Sequence, residues 1–178
     1  MLSTLAGLLI FTATGPVEPG PWAAPWDEES FRQYEDSVAG ISVSIPLSGF
    51  LLEARHFDAA LPIEKAKHLF TLSGPQGPEV TIDVWVDPKT TNVWTFFEKY
   101  LPFLRTEETS VASVVVTTHH VAGVLLAQPR SGQSFGHQTA VFAFNGRVFR
   151  VTCLDKDDVR ARKVFDRLVE SFNAEATR

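Results

Sequence analysis

The chain has 178 residues, 44% hydrophobic and 21% charged, a length and composition that suit one domain with a core needing no disulfide or metal staple. This composition excludes a disordered chain, a collagen-like repeat and a multi-span membrane protein. Sixteen Lys and Arg against twenty-one Asp and Glu give −5, which argues against a general nucleic-acid binder, and the single Cys153 excludes an internal disulfide or a CxxC site.

Glu18 is the one ionisable side chain in the first 26 residues. Leu2 to Ala13 are apolar but too short to span a bilayer comfortably. Gly15, Gly20 and Pro16, Pro19, Pro21 and Pro25 then break any helix. This order is that of a secretory signal peptide followed by an extended linker. No Lys or Arg precedes the apolar run and the small-residue cleavage pattern is poor, so a mis-set start, a disordered tail or an uncleaved anchor stay open. The expected organisation is a leader over 1–14, a linker over 15–26, one domain over 27–174 and a tail over 175–178. Trp22 and Trp26 in the linker are expected to pack back on the domain, the alternative being contact with a partner or membrane interface.

Residues 27–36, DEESFRQYED, hold five acids and one base and so carry most of the net charge. Phe31 and Tyr34 anchor this acidic segment, which Gly40 allows to turn back as a hairpin with Ile41, Val43 and Ile45. Those alternate with Ser42 and Ser44 in the period of a half-buried strand. A short strand is expected near Phe50–Arg55. Lys65–Leu72 read as a strand with Ala66, His68, Phe70 and Leu72 on one face, and 73–78 as a loop. Val80, Ile82, Val84 and Val86 mark a strand closed by Asp87-Pro88.

Thr91 or Asn92 can cap a helix whose Val93, Phe96, Phe97, Tyr100 and Leu104 share one face, with Pro102 ending or kinking it. Val111–Thr118 and Val121–Gln128 are β-branched strands. Asn145-Gly146 is a two-residue hairpin turn. It sets Phe142 opposite Phe149 and Ala140 opposite Val151 on a core face with Cys153, and puts Thr139, Val141, Arg150 and Thr152 on the other. A final helix over 156–173, capped by Asp155 or Asp157, carries the stripe Ala161, Val164, Phe165, Leu168, Val169 and Phe172. The six acids and six bases between Asp155 and Arg178 cancel, giving a solvated face. The fold class expected is α+β, a largely antiparallel sheet of six to seven strands with a helix on each face, an α/β/α sandwich.

The strands ISVSIP and VTIDVWVDP, the helix NVWTFFEKYL, a VAG strand, and GRVFRVTC running into DVRARKVFDRLVESF resemble the PsbP-like and DcrB-like group of α/β/α sandwiches over about residues 30–173. The resemblance implies a fold shared by an extrinsic subunit of photosystem II, periplasmic or lipid-anchored bacterial proteins, Eag-type secretion chaperones and a Ran-binding import factor. It implies no catalytic motif. No lipobox cysteine supports a lipid anchor.

Candidate chemistry is sparse. His119-His120 lie between two strands and His137 precedes the next, but no Cys pair, HExxH spacing or adjacent carboxylate accompanies them, and exposed loop histidines are expected. Cys153 reads as a small core residue. Ser48-Gly49, Ser73-Gly74 and Ser131-Gly132 form no nucleophile elbow, and residues 132–136 form no phosphate-binding loop. Glu79 and Asp83 are expected on the outer side of their strand with Trp85, explained by solvation. No catalytic, cofactor-binding or metal residue is therefore assigned, and no cofactor. The function expected is that of a non-enzymatic, exported (periplasmic or extracellular) accessory or binding protein that docks a protein or small ligand. The alternative is an intracellular Eag-type chaperone or adaptor for an apolar segment of a partner.

Overall fold

The computed structural model describes residues 27, 29–54, 67–75, 77–96, 98–99, 110–127, 136–144 and 146–174. The leader, the linker with Trp22 and Trp26, Ala66, Phe97, Tyr100, Pro102, Leu104, Ser131-Gly132, Asn145 and the tail lie outside them, as do the side chains of His68 and Trp85.

Nine strands follow in chain order: β1 (Phe31–Asp36), β2 (Ile41–Pro46), β3 (Leu51–Ala54), β4 (Lys67–Gly74), β5 (Gly77–Val86), β6 (Ser110–Val116), β7 (Ala122–Ala127), β8 (Gln138–Phe144) and β9 (Arg147–Cys153). A helix, α1, comprises the described residues 93–96 and 98–99, between β5 and β6. A second, α2 (Val159–Ser171), follows β9, and a two-residue strand, β10 (Asn173–Ala174), ends the described chain. Seven strands form one sheet in the order β3-β4-β5-β9-β8-β7-β6, and β1-β2-β10 form a second, with antiparallel pairing throughout.

The β8–β9 register is the expected one: Phe142 pairs with Phe149 and Ala140 with Val151. Gly146 has φ 73°, and a Cβ there would press within 3.3 Å of the Pro88 backbone, so both the turn and the close approach favour glycine. The face carrying Phe142, Phe149, Val151 and Cys153 is buried with β2, β4, β5 and the α2 stripe. Phe172 stacks on Phe142 at 4.1 Å between centroids and leans on Phe149 at 5.4 Å. Tyr34 meets Phe70 edge-on at 5.0 Å, so the small sheet shares this core. On the opposite face Val93 and Phe96 of α1 cover Val124, Leu126, Val141, Ala143 and Val148. One helix on each side of an antiparallel sheet is the α/β/α arrangement expected.

Asn92 caps α1, its Oδ1 accepting from the Trp94 and Thr95 amides at 3.0 and 3.1 Å. Several expectations need correction. The cap of α2 is Asp158, which accepts from the Arg160 and Ala161 amides, and the helix starts at Val159. Asp155 instead folds the preceding turn, accepting from the Asp157 amide. The helix stops at Ser171 because Asn173 and Ala174 pair with Ser42 and Ile41, a long-range strand with no local signature. Strands β4 and β5 extend into the stretch read as a loop, pairing down to Gly74 and Gly77. Finally, β4 carries a bulge: His68 pairs with Asp83 but Phe70 with Ile82. The alternation breaks at Leu69, and Leu69 and Phe70 are both fully buried.

Candidate docking surface

His119 and His120 form the β6–β7 turn. Buried Thr117 organises it, its Oγ1 accepting from the His119 amide at 3.2 Å and the Val121 amide at 3.1 Å. His120 takes a left-handed φ of 62° and both imidazoles are exposed. The turn is fastened to the end of α2, where the Thr118 amide donates to the Glu170 carbonyl at 2.9 Å. His137 lies at the other end of the sheet, just before Gln138, which pairs with Ala127. About five residues of strand, roughly 16 Å, therefore separate it from the histidine pair. No cluster of three or more His, Cys, Asp or Glu able to hold a metal occurs among the described residues.

Cys153 is buried and its Sγ donates to the Asp155 carbonyl at 3.3 Å. Burial pushes the thiol up to about 12, so it is a neutral core group and not a poised nucleophile. Asp83 lies directly across from Arg150 and accepts from its Nε and Nη2 at 3.1 and 2.6 Å. Glu79 departs from expectation. It is not solvated but 8% exposed, paired with Arg160 of α2.

Two polar features carry no local sequence signal. Asp87, 3% exposed, accepts from Lys99 Nζ at 2.6 Å, Thr90 Oγ1 at 2.7 Å and the Lys89 amide at 3.2 Å. Burial pushes its carboxyl up, but the hydrogen bonds from Lys99, Thr90 and Lys89 and the lysine's charge hold it below the usual carboxylate value. This cluster pins α1 to the end of β5. In the terminal Ser-Phe, Ser171 Oγ accepts from the Ser44 amide at 2.8 Å and donates to the Arg167 carbonyl at 2.8 Å, joining α2 to β2.

Among the described residues, a recess lies beside α2. Glu29 and Phe31 from the β1 side, and Lys163, Asp166, Arg167 and Glu170 from the helix, line an open groove of about 370 Å³. The i, i+3, i+4 and i+7 spacing of the four helix residues puts them on one face, opposite the buried stripe. Arg167 sits 5.7 Å over the Phe31 ring and also bonds Glu170 at 3.1 Å. Partial burial pushes the Asp166 carboxyl up, with the charge of Arg162 opposing. The surface offers an aromatic floor with donors and acceptors of both signs. Nothing in it pairs a nucleophile with a base.

No known protein family matches the sequence, and no curated protein matches it either. The fold is similar to the solution structure of the cyanobacterial PsbP, CyanoP, from Synechocystis. The TM-score is 0.53 at 12% identity, covering 82% of this chain and 93% of that one. The class is thus an α+β sandwich of PsbP-like fold. Among the described residues no helix is long and apolar enough to cross a membrane.

Proposed function

We infer that this chain is a non-enzymatic accessory protein that works outside the cytoplasm by docking a protein partner along the groove between β1 and α2. The groove itself carries this reading. Its floor is Phe31, its wall holds Lys163 and Arg167 among Glu29, Asp166 and Glu170, and its mixed charge suits a polar peptide segment better than a lipid or a nucleic acid. The PsbP-like fold and the apolar residues 1–14 ahead of the Pro-rich 15–26 support an exported domain over 27–174. We assign no catalytic, metal or cofactor residue, and we place the protein on the DcrB-like side of its fold group as well as the PsbP-like side.

Affinity purification from fractions of the native host, with mass spectrometry of the N-terminus and of co-purifying chains, tests this reading. A trimmed N-terminus in an extracytoplasmic fraction, with a stoichiometric partner lost on Lys163→Glu plus Arg167→Glu, is the expected result. Full-length protein found in the cytoplasm alone removes the export reading. A partner retained by the charge-reversed variant removes the groove.

A further inference from the structure

Glu79 lies near the start of β5, just after the turn from β4, and its backbone carbonyl accepts from the Leu154 amide at 2.9 Å. Its Oε1 accepts from Arg160 Nη2, while Oε2 is buried with no hydrogen-bond partner. The pair lies directly against the backbone of β4: a Cβ on Gly74 would collide with both the carboxylate and the guanidinium. The guanidinium in turn lies 4.9 Å from the ring centroid of Phe50, which leads into β3. The end of the β4–β5 hairpin, the approach to β3 and the first turn of α2 therefore meet at one ion pair.

Among the described residues, few charges face Glu79. From α2 comes Arg160, and from the residue capping that helix comes the Asp158 carboxylate, already accepting from the Arg160 and Ala161 amides. Gly74 of β4 and Phe50 present no charge, and Cys153 of β9, across from Val80, is neutral. An ionised Glu79 would hold one cation and face a second anion in a side chain only 10% exposed, while the buried Oε2 is without a hydrogen-bond partner in either protonation state. Such a group is expensive to charge. The neutral acid keeps the Arg160 hydrogen bond at Oε1 and sheds the buried charge.

We propose that Glu79 and Arg160 form a proton-dependent clasp between the β4–β5 hairpin and the start of α2, closed when Glu79 is neutral and loosened when it ionises. Burial pushes the Glu79 carboxyl up and Asp158 adds to this, while the charge and hydrogen bond of Arg160 oppose without cancelling. The closed form thus binds the proton more tightly than an opened, hydrated form. Lowering the pH through the raised pKa closes the clasp, and raising it weakens the clasp.

Carboxyl-carbon NMR titration of the full chain, with amide hydrogen exchange corrected for the intrinsic pH dependence, tests this. Glu79 should titrate above the ordinary glutamate range. Protection of the Leu154, Arg160 and Ala161 amides should fall several-fold across the same interval. Glu79→Gln, neutral and of the same shape, should hold the acid-side protection at every pH. Arg160→Met, which keeps an apolar stem over Phe50, should move the Glu79 midpoint higher still. A midpoint at or below the ordinary value, protection that rises or stays level with pH, the same pH dependence in Glu79→Gln, or an unmoved midpoint in Arg160→Met would each overturn the clasp.

Discussion

The two faces of the seven-stranded sheet are closed by different means. Under α2 and the small sheet, large apolar side chains from β2, β4, β5, β8 and β9 interlock around the Phe142–Phe172–Phe149 stack. Under α1 the described layer is thinner, built on Val93 and Phe96 against valine, leucine and alanine. That side adds a polar pin, Asp87 with Lys99 and Thr90. Where a helix lies across strands bearing aromatic rings, apolar area supplies most of the hold, with polar contacts at the helix ends, Arg160 to Glu79 and Ser171 to Ser44. Where it lies across small side chains, a fully donated carboxylate fixes its position.

The contrast can be broken most directly at Phe149, 1% exposed in the thicker layer. Phe149→Ala removes the ring from the Phe172 contact and should cost about 3–5 kcal/mol in urea unfolding. A loss under about 1 kcal/mol would mean that this face tolerates collapse and is not the main core.

Asp87 probes the thinner layer. Asp87→Asn withdraws the charge from three donors and should cost about 2 kcal/mol at neutral pH. The folded-state pKa of Asp87 lies below its unfolded value, so its contribution is present above the unfolded pKa and is lost as pH falls through the folded one. The gap between wild type and variant should therefore close toward acid. Glu79 runs the other way, its folded pKa being raised. Urea midpoints for both residues' amide variants, measured from roughly pH 2 to about 8 so as to bracket the ordinary carboxylate value of about 4, should show the two signs crossing. Parallel curves would show that donor number does not set the difference between these two carboxylates.

The same two residues mark what the sequence could reveal. The β8–β9 hairpin was legible because Asn145-Gly146 fixes a two-residue loop and, with it, every pair from Phe144↔Arg147 to Gln138↔Cys153. The α2 stripe was legible from its 3.6-residue period, as were Val93 and Phe96 of α1. Glu79 was misread because its partner is 81 residues away, and strict alternation assigns any odd residue of β5 to the outer face. The bulge at Leu69 and the pairing of Asn173 with Ser42 are likewise set by tertiary contact, with no local residue type demanding them. The groove of Phe31 and Arg167 joins residues 136 positions apart; the charge pattern of α2 alone read as a solvated face, which is what most of it is.

The start of α2 gives a smaller effect. Asp158→Ala removes the side chain that accepts from the Arg160 and Ala161 amides and should cost about 1 kcal/mol. Because Asp158 also faces Glu79, the same change should lower the Glu79 midpoint. A stability loss without that shift would separate the cap from the ion pair beside it.

The smallest effect is expected at Asp83 and Arg150, which face each other across β5 and β9 on the side away from α2. The geometry is favourable, with two donors on one oxygen at 3.1 and 2.6 Å. Yet the Arg150 side chain is 45% exposed, so water screens the attraction and ordering the long stem offsets part of it. A double-mutant cycle with Asp83→Asn and Arg150→Met should give a coupling of about 0.2–1 kcal/mol that shrinks in added salt. The pair sits next to Val141 and Val148, which do carry the outer layer. A coupling near that of Asp87 would therefore mean the outer face is held by polar contacts throughout, not by one buried pin under α1.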